Sequence, residues 1–571
     1  MGTETKIQRG ILGIILLLGI YGIVDHTWVT EDAYITFKHI DNLFAGNGFT
    51  FNRGEHVEGF THPAWATLII FLRLVGISNH SASVILGIIC SITGMILGLR
   101  YLRKSELTLL IFPVLLVVNS GFRDFSTSGL EFSLTFLLLV IFFSYVLDRE
   151  ISGSYAIPTL LSLLYLTRPE FGLFLAYYSI YFFIRNFKKP EFRPKLLRFG
   201  TPILIIAVGY HIFRFIYYSD ILPNTFYAKS GGESNYSQGF KYLYHTLRYS
   251  PLLVPLLLFS VFSGIYLRKE ISNDSRNFFL RDFFAMLPMV FYIVRVGGDF
   301  MAFRLLLPSL TIFTILSHYY LNTYWLPKIK TTRTILIVNT ALLLFCFYSV
   351  FYGKTPFNKG FLADERQVFY RDLNQDLISR FKEIRYPWYI EGLKVRKLAE
   401  CLNYPNFVIT NSISKAKCST GLGLGYYSVG AGTNVSVIDE LGLTDKFIAK
   451  QKRRPGTRPG HDREVDLDYL IERGTLFCSL NNKEYDEAMQ TKFGVIINLD
   501  PEFLFRLGRD EYLKRSGKLK LIYLKTRFAA DDDGKKLHEY LKLLEARYKI
   551  QIMQLKDVVL PEYEKYSQCW L

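Results

Sequence analysis

Long apolar runs fill the first 351 residues, and they constrain the fold more than any other feature of the sequence. Eleven runs of about 15–22 residues lie between charged positions, and each is long enough for a helix to approach the roughly 30 Å thickness of a bilayer core. They lie near 10–25, 81–99, 106–121, 129–147, 153–167, 170–185, 199–218, 249–267, 281–295, 302–320 and 332–351. The pattern predicts a polytopic α-helical membrane domain over residues 1–351, with about 10–12 transmembrane helices.

The composition changes sharply after residue 351. About 30% of residues 352–571 are charged, against about 14% of residues 1–351. Strand-like runs at 406–410, 435–439, 493–499 and 520–524 accompany helical runs at 364–383 and 535–548. Residues 352–571 are therefore predicted to form a soluble C-terminal domain of the α/β or α+β class.

Much of the net charge of +17 is explained by topology. If the N-terminus is cytoplasmic and the short run 64–77 is a helix at the interface, every strongly basic loop faces the cytoplasm. Such loops also contact anionic lipids, so the charge does not require a nucleic-acid partner. This topology places the loop at 25–63 and the domain at 352–571 outside the cytoplasm.

Five predicted outer loops bring acidic and basic residues to one face of the membrane. Taken singly, such residues more often cap helices or pair with a neighbour. Their shared location favours a functional site, because charge beside hydrocarbon is costly and is usually kept for a purpose. The loops carry, in chain order, Glu31, Asp32, Glu58 and His62; Glu131; Arg168; Asn224 and Lys229; and Arg295, Asp299 and Arg304.

These residue types suit group transfer from a lipid phosphate at the membrane surface. A carboxylate can act as general base on a sugar hydroxyl, and Asp32 is the candidate. Cations can hold the phosphate leaving group, and the candidates are Arg168, Lys229, Arg295 and Arg304. A divalent metal stays possible, since Glu31, Asp32, Asp299, His39, His56 and His62 are suitable ligand types. No spacing demands a metal, and no other cofactor is predicted.

The motifs in these loops resemble the GT-C superfamily of glycosyltransferases, and within it the terminal β-(1→2) arabinofuranosyltransferases and their bacterial relatives. The chain reads EDAYI at 31–35 where that family has DDAxI, and GNGFTFNRGEHVEGFT at 46–61 where it has GxGxxxNxGExVEGxT. Further similar segments are GLE at 129–131, TRPE at 167–170, LPNTFYAK at 222–229, GGDFM at 297–301, VID at 437–439, GLTD at 442–445 and PGH at 459–461. Glu31 departs from the pattern, which has Asp there, and residues 466–571 match no pattern known to us.

The resemblance implies a GT-C-like fold and an inverting transfer of a sugar, with arabinofuranose as the candidate. The implied donor is a polyprenyl-phosphate sugar, and the acceptor is a glycan or lipid of the cell envelope. The site and the C-terminal domain would lie outside the bacterial cytoplasmic membrane, with Asp32 as base and Glu31 beside it. Sugar or acceptor binding is implied for Glu58, His62, Glu131, Asn224, Asp299, Asp439, Asp445 and His461.

A transporter or flippase of lipid-linked envelope precursors is the alternative, because it would also have about eleven spans. Transporters tend to place charges and helix breaks near the bilayer midplane, in repeated halves. This sequence shows no inverted repeat, and its candidate charges cluster at one face. The transferase is therefore the favoured prediction.

Overall fold

The structure is a computed structural model, and it describes residues 3–102, 107–147, 149–151, 154–230, 234–250, 254–256, 258, 273–329, 331–353, 362–370, 376–382, 386–401, 407–410, 423–452 and 463. By the clustering of its contacts, the chain divides into two compact units. The first comprises Met1–Ala33, Phe60–Leu222 and Lys229–Ile384. The second comprises Tyr34–Gly59, Pro223–Ala228 and Arg385–Leu571.

The described residues are mainly helical. The helices up to residue 230 are α1 (Thr3–Asp25), α2 (Glu31–Phe44), α3 (Pro63–Leu74), α4 (Asn79–Leu102), α5 (Ile111–Val118), α6 (Ser120–Phe125), α7 (Phe132–Val146), α8 (Ala156–Thr167), α9 (Phe171–Asn186), α10 (Phe192–Pro202), α11 (Gly209–Tyr218) and α12 (Asn224–Ser230). Those that follow are α13 (Tyr236–Arg248), α14 (Asn273–Val296), α15 (Leu307–Tyr320), α16 (Thr332–Tyr352), α17 (Glu365–Tyr370), α18 (Leu377–Lys382), α19 (Pro387–Cys401), α20 (Leu424–Ala431) and α21 (Lys446–Ala449).

Four stretches of helix among the described residues are long and apolar enough to cross a bilayer. They are Thr3–Asp25, Asn79–Leu102, Phe192–Tyr218 and Thr332–Tyr352, and the third joins α10 to α11 through a π-helical turn at Ile203–Val208. The apolar helices α3, α7 and α8 are shorter. With 12 residues, α3 would extend only about 18 Å, which is too short to span a bilayer. The prediction of a helical chain with several apolar helices is confirmed, and most of the predicted span at 249–267 lies outside the described residues.

The run 106–121, predicted as one span, is two short helices in the structure. Asn119 has an extended backbone with ψ 108°, and its side chain accepts a hydrogen bond from the Phe122 N–H at 3.3 Å. This N-cap ends α5 and starts α6, because an asparagine side chain competes with the continuous helical ladder. Two charged residues of α6, Arg123 and Asp124, are consequently buried.

Close packing of α4 in the first unit depends on three glycines. A Cβ at Gly87 would lie 2.3 Å from the Ser126 carbonyl oxygen. A Cβ at Gly94 or Gly98 would lie 2.5 or 2.4 Å from a phenylalanine ring. Small residues let apolar helices approach closely in this way. The approach at Gly87 fixes the loop that leads to Glu131.

The second unit contains a parallel pair of strands, β1 (Phe407–Thr410) and β2 (Val435–Ile438), with Phe407 opposite Val435. These coincide with two of the predicted strands, whereas the runs at 493–499 and 520–524 and the predicted helix at 535–548 lie outside the described residues. Helices α19 and α20 touch through glycines, because a Cβ at Gly392 would lie 2.3 Å from the Tyr427 carbonyl oxygen. The boundary at residue 351 stays a prediction.

Candidate active site

Asp32 and Arg304 form a buried ion pair in the first unit. Asp32 lies in the first turn of α2, where the helix dipole favours acidic residues, and Glu31 lies beside it. The Arg304 Nη1 atom donates to Asp32 Oδ2 at 2.7 Å, and the two side chains are 10% and 13% exposed. Burial alone would lower the pKa of Arg304, but the charges of Asp32, Asp299 and Glu131 outweigh it and raise that pKa. The partners are 272 positions apart in the sequence, so tertiary packing brings them together.

The loop before α15 places Asp299 beside the same guanidinium. Gly297 and Gly298 have φ of +94° and +74°, and a Cβ at Gly298 would lie 2.4 Å from the ring of Tyr242. Only glycine suits this close, left-handed turn. Asp299 Oδ1 accepts from the Phe300 N–H at 2.8 Å, and Asp299 Oδ2 lies 3.6 Å from Arg304 Nη1. The GGDFM segment therefore works as a turn that aims a carboxylate at Arg304.

A second buried ion pair joins Glu131 to Arg168. Glu131 precedes α7 and Arg168 follows α8, where Pro169 favours the extended backbone of the residue before it. Arg168 Nη1 donates to Glu131 Oε1 at 3.1 Å, and Arg168 Nε donates to Glu170 Oε1 at 2.6 Å. His62, at the start of α3, places Nδ1 at 3.1 Å from Glu131 Oε2. Glu131 Oε1 therefore accepts a hydrogen bond from Arg168, and Oε2 lies at ion-pair distance from His62.

The charges around Glu131 keep its carboxylate ionised. Burial on its own would raise the pKa of Glu131. The close contact and charge of His62, together with the charges of Arg168 and Arg304, outweigh burial and hold that pKa well below its usual range. Arg168 Nη1 also lies 3.4 Å from the Arg304 carbonyl oxygen, which connects the two ion pairs.

Glu365, which sequence reasoning did not nominate, belongs to the same cluster. The Thr30 hydroxyl donates to Glu365 Oε2 at 2.6 Å. Burial first, and then the charge of Asp32, raise the pKa of Glu365 to about 8. Its sequence position in a charged region after residue 351 gave no signal of this placement. Its placement becomes visible only in the structure, where residues 300–302 pair with Ala363.

Among the described residues, the cluster has more carboxylates than guanidiniums, and it also includes the imidazole of His62. Its carboxylates, Glu365 aside, are Asp32, Glu131, Glu170 and Asp299, and its guanidiniums are Arg168 and Arg304. Arg168 is occupied by two carboxylates and a carbonyl. By contrast, the buried Arg304 Nε has no hydrogen-bond partner among the described residues. It is therefore a donor that a ligand oxygen can use.

Two candidates in the second unit support its framework. Asn224 donates from Nδ2 to the carbonyl oxygens of Gly442 and Leu443 at 2.8 and 3.0 Å. The backbone N–H of Asn224 donates to the Glu58 carbonyl oxygen at 3.0 Å. The LPNTFYAK and GLTD segments are consequently tied together through Asn224.

Asp439 and Asp445 cap backbone in the same unit. Asp439 accepts from the N–H groups of Leu441 and Thr444, each at 2.9 Å, and burial raises the pKa of Asp439 to about 6. Asp445 is the N-cap of α21, where Oδ1 accepts from Phe447 and Ile448 at 2.9 and 3.0 Å. These contacts give both residues a structural role, and a role in acceptor binding stays a prediction.

Three further candidates complete the predicted set. Arg295 is exposed in the last turn of α14, and its carbonyl oxygen accepts from the Asn235 N–H at 2.8 Å. Lys229 is half-buried near the end of α12. His461 lies outside the described residues.

A metal-binding arrangement is not evident in the described parts of the chain, where no three His, Cys, Asp or Glu side chains come together suitably. His39 contacts backbone instead, with Nδ1 at 2.8 Å from the Ile35 carbonyl oxygen and Nε2 at 3.1 Å from that of Val57. Metal dependence stays untested.

Comparison with known proteins gives two relatives of the chain, although no protein-family model matches it. The terminal β-(1→2)-arabinofuranosyltransferase of Mycobacterium tuberculosis is 25% identical over 555 residues, covering 82% of this chain and 86% of that protein. The enzyme of the same name from Corynebacterium glutamicum is 25% identical over 527 residues, covering 78% and 74%. Among solved structures, ArnT from Cupriavidus metallidurans bound to undecaprenyl phosphate has a TM-score of 0.44 and 9% identity, covering 76% of this chain and 86% of that one. The two relatives confirm the prediction of a glycosyltransferase that resembles the terminal arabinofuranosyltransferases over most of its length.

Proposed function

We propose that the protein transfers arabinofuranose, with inversion, from a polyprenyl-phosphate donor to a glycan or lipid of the cell envelope. The reaction would take place on the outer face of the bacterial cytoplasmic membrane. The sugar is suggested by the names of the two relatives, and the donor and topology by the resemblance of the motifs.

The observation that carries the proposal is the buried cluster around Asp32 and Arg304. Its contacts bring together the start of α7, the end of α8 and the loop after α14. Buried charge at the ends of apolar helices is costly and is usually retained for function. Here it supplies both a carboxylate for a hydroxyl and a guanidinium for a phosphate.

In the proposed step, Asp32 accepts the proton of the acceptor hydroxyl as its oxygen attacks the anomeric carbon. The bond from that carbon to the phosphate oxygen breaks, and polyprenyl phosphate leaves with the electron pair. A glycosyl centre carries positive charge in such a transition state. The excess of carboxylates over guanidiniums in the cluster favours that charge.

The cations divide into two roles in this proposal. Arg304 is the ligand for the leaving phosphate, because its buried Nε is a donor without a described partner. Arg168 holds Glu131 and Glu170 in place, since its donors already contact those carboxylates. Lys229 and Arg295 stay candidates for the phosphate, and Glu31, Glu58, His62, Asn224 and His461 for the sugar or acceptor.

Asp32→Asn tests the proposal, with Asp25→Asn as the matched control at an exposed acid close by. The assay measures transfer from a radiolabelled polyprenyl-phosphate arabinofuranose to an arabinan oligosaccharide by the purified protein in detergent. Loss of a general base is expected to reduce kcat by about 10²–10⁴-fold, with the folded protein recovered in normal yield. Transfer by Asp32→Asn at the rate of the control would overturn the assignment.

A further inference from the structure

Residues 362–370 form a segment that lies along the loop of Asp299 and Arg304. The Ala363 N–H donates to the Phe300 carbonyl oxygen at 2.8 Å, and the Ala302 N–H donates to the Ala363 carbonyl oxygen at 3.1 Å. These bonds form a parallel bridge between Met301 and Ala363. The start of the segment is therefore fixed to the loop that carries Arg304, one of the two partners of the Asp32–Arg304 pair.

The same segment is fixed to the other piece, the turn that leads into α2. The Tyr370 hydroxyl lies 3.2 Å from the Val29 N–H, and the Thr30 hydroxyl donates to Glu365 Oε2 at 2.6 Å. On its other side the Thr30 N–H donates to the carbonyl oxygen of Ser128 at 2.8 Å, three residues before Glu131. Helix α2 thus begins one residue after a turn that is held from both sides, and Asp32 lies in its first turn.

Glu365 is the polar side chain that joins this segment to the Thr30 turn. Its carboxyl group is buried and feels the charges of Asp32, Asp299 and Arg304. The cleft beside it is lined by Asp124, Asp364 and Arg366, and Arg366 Nε lies 3.0 Å from Asp124 Oδ1. An ionised Glu365 would add a negative charge next to Asp32 and would compete with it for Arg304. Burial, followed by the charge of Asp32, raises the pKa of Glu365 to about 8, so below that pH the group is neutral.

We propose that Glu365 is a positioning residue for Asp32, which as a neutral acid holds the Thr30 turn against the loop of Asp299 and Arg304. The proposal rests on the proposed function, because it takes Asp32 as the group that contacts substrate. A neutral carboxyl group gives the hydroxyl of Thr30 an acceptor without placing a further charge beside the base.

The proposal predicts an alkaline limit for the transfer reaction. As pH rises above about 8, Glu365 loses its proton, repels Asp32 and Asp299, and competes for Arg304. The kcat of the wild type should then fall by roughly tenfold for each pH unit, as for any single group that must be protonated. Glutamine has the same shape, accepts from Thr30 and does not titrate.

The experiment compares Glu365→Gln and Glu365→Ala in the transfer assay between pH 6 and 10. Glu365→Ala is expected to lower kcat at pH 7 by about tenfold or more with little change in the donor KM, because the start of α2 loses its anchor. Glu365→Gln is expected to recover most of that loss and to keep its rate above pH 8. An inactive Glu365→Gln would mean that the ionised group is required. If kcat of Glu365→Gln falls above pH 8 as it does in wild type, the fall belongs to another group. Either result overturns the proposal.

Thermal unfolding of wild type and Glu365→Gln gives a measurement that does not depend on catalysis. A carboxyl group whose pKa is higher in the folded than in the unfolded state contributes less stability as pH rises from the unfolded value of about 4.3 towards 8. The melting temperature of Glu365→Gln relative to wild type should therefore increase across that range. A difference in melting temperature that does not change with pH would refute the proposal that Glu365 is neutral in the folded protein. Retained activity in Asp32→Asn would instead refute the proposed function and leave this result intact.

Discussion

Replacing Arg168 by Met removes the cation of the second buried ion pair and should destabilise the protein strongly. The change takes one guanidinium from Glu131 Oε1, Glu170 Oε1 and the Arg304 carbonyl oxygen. Glu131 and Glu170 have side chains only 2% and 9% exposed, so both would be left buried. Removing one partner of a buried ion pair costs about 3–5 kcal/mol. Because His62 still contacts Glu131, we expect a loss of about 3 kcal/mol.

The assay is equilibrium unfolding by SDS in mixed micelles, carried out as a double-mutant cycle. Glu131→Gln alone should cost less than Arg168→Met, since Arg168 keeps Glu170. The double variant should be more stable than the sum of the single changes predicts, by about 1–3 kcal/mol, because the charge left by Arg168→Met is gone. Additive effects, or a loss below about 1 kcal/mol in Arg168→Met, would refute the assignment of Arg168 to Glu131.

The sign of the pH dependence gives an independent check on this pair. The pKa of Glu131 is lower in the folded protein, so its contribution is present above the unfolded value of about 4.3 and is lost as pH falls below it. The difference between wild type and Arg168→Met should therefore narrow below about pH 4. Transfer kinetics separate the two roles considered for Arg168. A positioning role lowers kcat with the donor KM nearly unchanged, whereas a phosphate ligand raises that KM.

Two further predictions concern the second unit. Lys38→Met removes an ammonium that donates to the Ser428 and Val435 carbonyl oxygens at 3.1 and 3.3 Å and also contacts that of Gly432. The substitution should lower the free energy of unfolding by about 2–4 kcal/mol, while Lys452→Met, at an exposed position, should leave it unchanged. Equal free energies of unfolding in the two variants would contradict a stabilising role for the hydrogen bonds of Lys38. Asn52→Leu breaks the two hydrogen bonds with the Val437 backbone, at 3.0 and 2.9 Å, and should speed limited proteolysis of the loop at 46–56 by about tenfold or more. Asn52→Asp, which keeps the acceptor oxygen, should show a smaller increase. Identical proteolysis rates in wild type and both variants would contradict a role for Asn52 in holding the loop.

Local backbone chemistry was the part of the fold and site that the sequence revealed well. Gly46, Gly48 and Gly54 stand in a polar, glycine-rich segment, a composition typical of turns, and their φ angles are +79°, +84° and +74°. Asp32, predicted to lie in the outer loop at 25–63, lies in the first turn of α2. Such features depend on a few neighbouring residues, so a sequence pattern is enough to predict them.

The pairing of charges could not be predicted in the same way. Arg168, Arg295 and Arg304 look alike as outer-loop cations, yet Arg304 contacts Asp32, Arg168 contacts Glu131, and Arg295 is exposed. Partners more than 30 residues apart are selected by the packing of helices between them, which has no local signature. Glu365 shows the limit most clearly, because a charged residue in a charged segment is unremarkable until Thr30 is found beside it.

Under the proposed function, the excess of carboxylates in the cluster stabilises the transition state of sugar transfer more than it stabilises the bound donor. Stability alone would favour apolar side chains here, because replacing a buried ion pair by well-packed apolar groups is often neutral or stabilising. An excess of buried carboxylates is most favourable when positive charge appears among them, as it does on a sugar ring while its bond to phosphate breaks. The Nε of Arg304 offers its hydrogen to an oxygen that gains negative charge at the same moment. Under the proposed function, both interactions strengthen as the bond breaks, so they lower the barrier more than they strengthen binding of the donor.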